Sequence, residues 1–473
     1  MTYRSAIPRF RAVSRIRVAV CFGVVISLLS AAAARAQAFR TASDGLNVGH
    51  FLLYPSISIE YTHDDNITFE SRELPGAEIL ASGVMLIKPR ILMDLPIAAS
   101  RIRWVYSPLY RDYTNKGFPQ TRRFSHFFDF EAMRSGPLLS LRVADRYVKD
   151  TVQLREADRG GEVFGLVPFT THAPELQATL GLGARSGVSL IPRYTAVSFQ
   201  GDASASFFGY RKKEVEVRLL HAISPATEIY AFYSLSDTNQ DREVIIFGDV
   251  SLEARSEGVG FRRVLNQDVV TYLHAGYKTI DFKGGANSDF AGPVLDANAT
   301  WQLGDATMLN LSAAHQAYQS FFVNNNYYVD TEMRLEFTRQ IGHSVYWNGA
   351  ISFTNNHYAD PLDISVTSDT PRVQDCEPRV PDPANPGQTL CGGDGRIDVF
   401  ESYQPSVGRR RRDHVVRVEI GAGWQVARAV RLFLGYNSDR RTSNIEQVFG
   451  AGIVDPFDYR VNRVVFRIEA GWM

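Results

Sequence analysis

The sequence is poor in several features that mark common protein classes. It contains three cysteines in 473 residues, and no apolar run of about 18 residues follows residue 36, so it lacks a transmembrane helix. Amphipathic helical periodicity is almost absent, which argues against a helical domain. The ten histidines include no His-x-x-x-His pair, and no Gly-x-Ser-x-Gly motif occurs. The sequence therefore indicates neither a metal site nor a cofactor.

The first 36 residues have the plan of a secretory signal peptide. Five arginines precede residue 18 without an acidic residue, an apolar run covers 18–34, and Ala34-Arg35-Ala36 forms a small-x-small cleavage site. An uncleaved N-terminal anchor is the alternative. Without this segment, 437 residues remain, with 45 basic and 51 acidic side chains and a net charge of −6. An acidic mature chain gives no support for nucleic acid as a partner.

From residue 55 onward, apolar and polar residues alternate with period two, as in β-strands with one apolar face. In 327–339, for example, Met333 and Leu335 oppose Arg334 and Glu336. Eighteen strands are predicted, at 55–62, 83–95, 101–113, 122–134, 138–149, 175–185, 188–199, 207–221, 228–237, 252–264, 269–281, 293–303, 306–317, 327–339, 344–355, 412–426, 429–438 and 459–472.

The links between the predicted strands alternate in length. Links after even-numbered strands are short, such as Gly304-Asp305, whereas most links after odd-numbered strands are long and polar. This sorting is typical of an outer-membrane barrel with short periplasmic turns and long extracellular loops. In hydrocarbon, only a closed barrel pairs every backbone group of a strand. We therefore expect an all-β, transmembrane, antiparallel up-and-down β-barrel over 55–473, after a short periplasmic segment at 37–54, in the outer membrane of a Gram-negative cell.

The five tryptophans favour the same fold. Each lies on the apolar face of its strand, within a few residues of a short turn or of the C-terminus. We expect them to form one aromatic girdle at the periplasmic interface, because amphipathic rings favour that depth. The residues are Trp104, Trp301, Trp347, Trp424 and Trp472.

The polar faces of the strands would line the lumen, and they carry both signs of charge. One interpretation is a path for a polar or anionic solute, an acidic polysaccharide included, with arginine rows that supply selectivity. The other is a polar wall braced by ion pairs. The predicted lumenal residues are Arg101, Arg103, Arg142, Arg146, Arg193, Arg334, Arg417, Arg463 and Arg467, with Glu214, Glu216, Glu332, Glu336, Glu419 and Glu469.

The longest link, 356–411, is an extracellular loop that contains Cys376 and Cys391 among several prolines. In an exported chain, such a close pair predicts one disulfide, which would restrain a polar loop. A metal pair is a poorer interpretation because no histidine flanks the cysteines.

Four consecutive arginines end this loop. They could bind lipopolysaccharide phosphates or attract an anionic polymer, or they could form a solvated charge run. They are Arg409, Arg410, Arg411 and Arg412.

His63-Asp64-Asp65, at the outer end of the first strand, is the best candidate for a base with an orienting acid. The polar start of a loop explains these residues better, so we do not expect an enzyme.

Three segments resemble the family described as putative beta-barrel porin 2. They are YPSISIEYTHDDNITF (54–69), IKPRILMDLP (87–96) and RIRWVYSPLYRDY (101–113), and YKTIDF (277–282) fits the same style. The shared features are a first strand that ends in Asp-Asn, a strand centred on a proline, and a following Tyr-rich strand. The resemblance implies an exported outer-membrane barrel, often associated with capsule or exopolysaccharide systems, and it carries over no catalytic residues. Such barrels usually end on an aromatic residue, whereas Met473 follows Trp472 here.

We expect a conduit that assists export of a capsular or exopolysaccharide across the outer membrane. The alternatives are a general or solute-selective diffusion porin, an adhesin or structural barrel that uses the 356–411 loop, and an outer-membrane hydrolase. Expected partners are outer-membrane lipid and lipopolysaccharide, the barrel-assembly machinery, an anionic polysaccharide and polysaccharide-export proteins.

Overall fold

The computed structural model describes most of the predicted strands and part of their links. The described residues are 45–67, 71, 79–115, 124–152, 167–199, 209–240, 251–265, 268–283, 289–320, 327–342, 344–361, 379–381, 389–391, 409–445, 447–449, 452–454 and 458–471. The predicted signal peptide, Cys376 and Trp472 lie outside them, so the signal peptide and the disulfide stay predictions. Among these residues, no helix has the length and apolarity needed to cross a membrane.

Eighteen long strands form one wall, and each corresponds to one predicted strand. Each has 11 to 18 residues, which is enough to cross a bilayer when tilted. In chain order, β1 to β18 are Phe51–Asp64, Ser82–Ile97, Ser100–Tyr113, Phe124–Arg134, Leu139–Val152, Val167–Gly181, Ser186–Phe199, Tyr210–Ser224, Thr227–Gln240, Leu252–Leu265, Val269–Phe282, Phe290–Leu303, Thr307–Gln319, Tyr327–Ile341, Val345–Pro361, Arg410–Ala427, Val430–Ser443 and Tyr459–Gly471.

The wall closes on itself. Every strand pairs antiparallel with its neighbours in the chain, and β18 pairs back with β1. Along this seam, Ser56 lies opposite Gly471 and Asp64 lies opposite Arg463. Closure leaves no long strand with an unpaired edge in hydrocarbon. The predicted antiparallel 18-stranded up-and-down barrel is confirmed.

At its start, β1 extends past the end of β18, and a short strand covers the extra edge. This strand, Leu46–Val48, pairs antiparallel with the first residues of β1, where Leu46 faces Leu53. Gly49 makes the turn between them with a φ of +64°, a conformation that side chains other than glycine rarely adopt. The predicted boundary at residue 55 was therefore late, because the β-structure begins at Leu46.

The connections alternate in length as predicted. After even-numbered strands they contain two to four residues, and after odd-numbered strands they contain seven to 48. The longest link is shorter than predicted, because β15 continues to Pro361 and β16 begins at Arg410. Likewise, β6 begins at Val167 rather than at 175. These extensions lie at the long-loop end, where the outer face leaves the hydrocarbon and need not alternate.

The outer face of the barrel is apolar and exposed. On β14, Met333, Leu335 and Phe337 are 55%, 44% and 40% exposed, while Arg334 and Glu336 between them face inward. An exposed band of large apolar side chains would be costly in water and is favourable against lipid. The alternation places lipid outside and the polar residues inside.

Four of the predicted girdle tryptophans lie near the short-turn end of the wall. Trp424 pairs with Val345, the first residue of β15, and Trp301 pairs with Val269, the first residue of β11. Trp347 and Trp424 are both about half exposed on the outer face. Trp104 follows the two-residue turn after β2.

Aromatic rings on the inner face cover glycines of the neighbouring strands. Tyr230 and Phe232 of β9 lie directly opposite Gly260 and Gly258 of β10, and both rings are 5% exposed. A Cβ atom on Gly260 would overlap the Tyr230 ring, and one on Gly258 would overlap the backbone of Ala275 and Gly276 and crowd Phe232. Each ring thus fills the space that the glycine leaves open, a known device for strand glycines.

Gly260→Ala should destabilise the barrel by about 1–3 kcal/mol, because the new methyl group must displace the Tyr230 ring. Urea unfolding of the refolded protein in lipid vesicles would measure the loss. The control is the same substitution in a Tyr230→Ser background, where the ring is absent and the added cost should be smaller. An equal cost in both backgrounds would show that ring overlap is not the cause.

Candidate functional site

The candidate site is the inner face of the wall. There, Arg334 of β14 donates hydrogen bonds to Glu336 of the same strand at 2.6 Å and to Glu419 of β16 at 3.2 Å. The second contact passes over the intervening strand β15. Only the concave side of a curved sheet brings side chains of next-but-one strands together. The contact therefore assigns this register, which also includes Glu332, to the lumen.

A band of ion pairs begins on β4 and β5. The Arg142 guanidinium on β5 donates to Glu131 of β4 at 2.6 Å and to Glu175 of β6 at 2.5 Å. Arg142 therefore joins three successive strands. Arg146, four residues further along β5 on the same face, makes a long contact of 3.9 Å with Asp129, and both side chains are mostly exposed.

The band continues through Arg193 on β7. Its guanidinium donates to Glu175 of β6 at 2.6 Å, and to Glu214 and Glu216 of β8 at 2.7 and 2.8 Å. Glu216 also accepts from Arg218. The result is a continuous chain of alternating charges from β4 to β8. Charge-assisted hydrogen bonds of this kind are the strong ones in proteins.

A second network crosses the seam. Arg463 of β18 donates to Asp64 of β1 at 2.7 Å and to Asp439 of β17 at 3.0 Å. Asp439 also accepts from Arg417 of β16 at 2.5 Å. The first strand and the last three strands therefore share one set of charges.

Two further arginines, Arg467 and Arg101, form ion pairs near the short-turn end. Arg467 donates to Glu60 of β1 at 2.9 Å and to Glu469 of its own strand at 3.2 Å. Arg101 holds Asp94 of β2 through two hydrogen bonds of 2.8 and 2.6 Å, and Arg103 lies opposite Asp94 in the strand register.

Eight of the nine predicted lumenal arginines thus form ion pairs with carboxylates of the wall. This arrangement favours the interpretation that charges brace the wall, and the lumen remains polar. The sequence prediction missed the acidic partners because each lies on another strand. They are Glu60, Asp64, Asp94, Asp129, Glu131, Glu175 and Asp439, and their position on the polar register of a strand was the available signal.

The four arginines at the loop end do not share one surface. β16 begins at Arg410, so Arg410 and Arg412 are exposed on one face and Arg411 is buried on the other. Arg411 pairs with Asp413 at 2.9 Å and lies 4.6 Å from the centroid of the Tyr358 ring. Arg409 precedes the strand and is exposed. The prediction of a basic cluster at a loop end is corrected, because strand alternation divides it.

His63 and Asp64 do not form a catalytic pair. As neighbours in β1 they lie on opposite faces, His63 exposed and Asp64 buried. Asp64 accepts hydrogen bonds from Arg463 and from the Asn66 backbone, and Asp65 accepts from Asn462. Both carboxylates therefore accept hydrogen bonds from residues of β18. Among the residues with described side chains, no group of three or more His, Cys, Asp or Glu could hold a metal ion.

At the long-loop end, Lys283 follows β11 and contacts two acids. Its ammonium donates to Asp237 at 3.2 Å and lies 3.4 Å from Glu253. The hydrogen bond to Asp237 raises the pKa of Lys283 above its ordinary value. The three residues continue the outward registers of Leu235, Val259 and Tyr277, so acids and bases also pair on the outside of the wall at the long-loop end.

Comparison with known families supports the resemblance found in the sequence. The family model described as putative beta-barrel porin 2 matches residues 207–366. This range contains the segment 277–282 and excludes the three opening segments on which the resemblance was mainly based. No curated protein gives a significant match.

Several solved structures are similar in architecture. Outer membrane protein opdK from Pseudomonas aeruginosa is 10% identical, with 89% of this chain and 99% of that chain covered and a TM-score of 0.41. Pseudomonas aeruginosa OccK2 (OpdF), solved in complex with glucuronate, is 8% identical, with 89% and 98% covered and a TM-score of 0.43. Acinetobacter baumannii OccAB3 is 7% identical, with 90% and 99% covered and a TM-score of 0.42. The chain has the fold of an outer-membrane β-barrel porin.

Arg193→Gln should destabilise the barrel by about 1–3 kcal/mol, because three partly buried carboxylates lose a charged donor. Urea unfolding in lipid vesicles would measure the effect. Arg146→Gln is the matched control: its side chain is 64% exposed, against 28% for Arg193, and its loss should cost less than about 0.5 kcal/mol. Equal costs would mean that the band does not brace the wall.

Proposed function

We propose that the protein is a solute-selective diffusion porin of the outer membrane. One observation carries the proposal: each ion pair in the described part of the chain joins the same, adjacent or next-but-one strands. The longest reaches, each across one intervening strand, are Arg334 to Glu419, Arg111 to Asp150 and Lys283 to Asp237. Among the described residues, the ion-paired charges therefore run along the wall. A barrel of 18 strands is wide enough to enclose an aqueous channel.

The wall itself supplies the selectivity in this proposal. Every described strand of more than three residues belongs to the wall, so the lumen surface there consists of side chains. Pairing keeps most acids and bases at short range from each other, which favours polar solutes of either sign over apolar ones. Local departures from pairing then decide which ions are preferred.

This proposal replaces the export conduit that the sequence favoured. A polymer conduit that is gated by partner proteins should be closed when it is isolated. A wall that is braced by its own ion pairs, by contrast, needs no partner to keep its shape. The match to a porin family also supports diffusion. The adhesin alternative depends on the link between β15 and β16. Apart from Arg379–Pro381, Thr389–Cys391 and Arg409, that link lies outside the described residues.

Purified protein in planar bilayers should give steady single-channel conductance steps, because the lumen is lined by hydrated charges. Vesicles that contain it should swell in small sugars and amino acids and should exclude dextran. Heat-denatured protein is the control for detergent artefacts. A folded barrel that shows no steady conductance would overturn the diffusion proposal and would return the gated conduit to first place.

A further inference from the structure

The inner wall has a recess at the seam between the first and last strands. Its volume is about 630 Å³, and its floor is formed by Ser56 and Ser58 of β1. Both serine side chains are short, whereas the side chains beside them are long, and this difference in length leaves a recess in the inner surface. Lys88 and Arg90 of β2 lie on one side of the recess, and Arg431 of β17 lies on the other.

The strand register fixes the relative heights of these cations. Ser58 lies opposite Lys88 on one side and opposite Glu469 on the other, and Glu469 lies opposite Arg431. Lys88 and Arg431 are therefore at the same level, three strand spacings apart, which is about 14 Å along the wall. Arg90 lies one level nearer the short-turn end, opposite Ser56.

The recess has an excess of positive charge. Its acids are already engaged: Arg467 binds Glu60 and Glu469, and Arg111 binds Asp150 at 3.3 Å. Within the described part of the chain, Lys88, Arg90 and Arg431 have no carboxylate within 4.0 Å. The recess therefore brings together three cations that the ion pairs of the wall leave unbalanced. Uncompensated cations in a partly enclosed site attract anions.

One flank of the recess is apolar. The Lys88 ammonium lies 5.2 Å from the centroid of the Phe127 ring, and Leu86 and Leu109 line the same side. A cationic rim beside an aromatic face matches a solute with one anionic end and one apolar end. Guanidinium and ammonium groups would hold the carboxylate, and Phe127 would contact the apolar body.

We propose that this recess is a binding subsite for small organic carboxylates with an apolar body. The proposal rests on the porin function and names its preferred solute class. Lys88, beside Phe127, binds the carboxylate, Arg431 and Arg90 add positive charge across the recess and at the short-turn side, and the serine hydroxyls of β1 are available as donors. Neutral solutes of the same shape gain only the contact with Phe127.

Equilibrium binding tests the subsite without relying on conduction. Saturation-transfer NMR on the folded protein in detergent would compare benzoate, acetate and benzyl alcohol. Benzoate should bind most tightly, because acetate lacks the apolar body and benzyl alcohol lacks the charge. Equal binding of benzoate and benzyl alcohol, or no binding of benzoate, would overturn the proposal even if the conductance experiment succeeds. Loss of conductance with benzoate binding retained would instead contradict only the diffusion function.

Variants locate the site. Lys88→Gln combined with Arg431→Gln should weaken benzoate binding about tenfold or more. Arg146→Gln, which removes an exposed lumenal cation outside the recess, should leave binding unchanged. Phe127→Ser should reduce the preference for benzoate over acetate. Equal affinities for the double variant and Arg146→Gln would place the binding elsewhere. Heat-dependent gel mobility would confirm that each variant is folded.

Discussion

The structure depends on one constraint: in hydrocarbon, every backbone N–H and C=O of a strand must find a partner in another strand. Pairing of β18 with β1 meets this requirement for the two strands that would otherwise form edges. The side chains reinforce the same joint, since Arg463 and Arg467 of the last strand bind Asp64 and Glu60 of the first. Closure then fixes which residues face lipid and which face the lumen.

Curvature explains why most of the lumenal arginines pair with carboxylates of neighbouring strands. On the concave side, side chains from three successive strands converge, as Arg142 and Arg193 show with the glutamates around them. An isolated charge there would be costly, and a neighbour of opposite sign offsets that cost. On the convex side, side chains diverge into lipid and need no partners.

Small residues shape the lumen. Where glycines occur on β10 and β11, aromatic rings from β9 lie over them and the wall stays filled. Where serines occur on β1, they line the open recess at the seam. Three cations without carboxylate partners line the same recess, so an open space and an excess of positive charge coincide there.

The sequence by itself determined the strands, their alternation and the sorting of the turns, because these are local signals with period two. It could not locate strand ends beyond the bilayer, as at Val167 and Pro361, since the outer face no longer needs to be apolar there. Nor could it show that Arg463 pairs with Asp64, or that Arg410 and Arg411 lie on opposite faces of β16. Those outcomes depend on register and closure, which join residues almost four hundred positions apart. Only the tertiary structure decided which lumenal charges are balanced and which remain available to a solute.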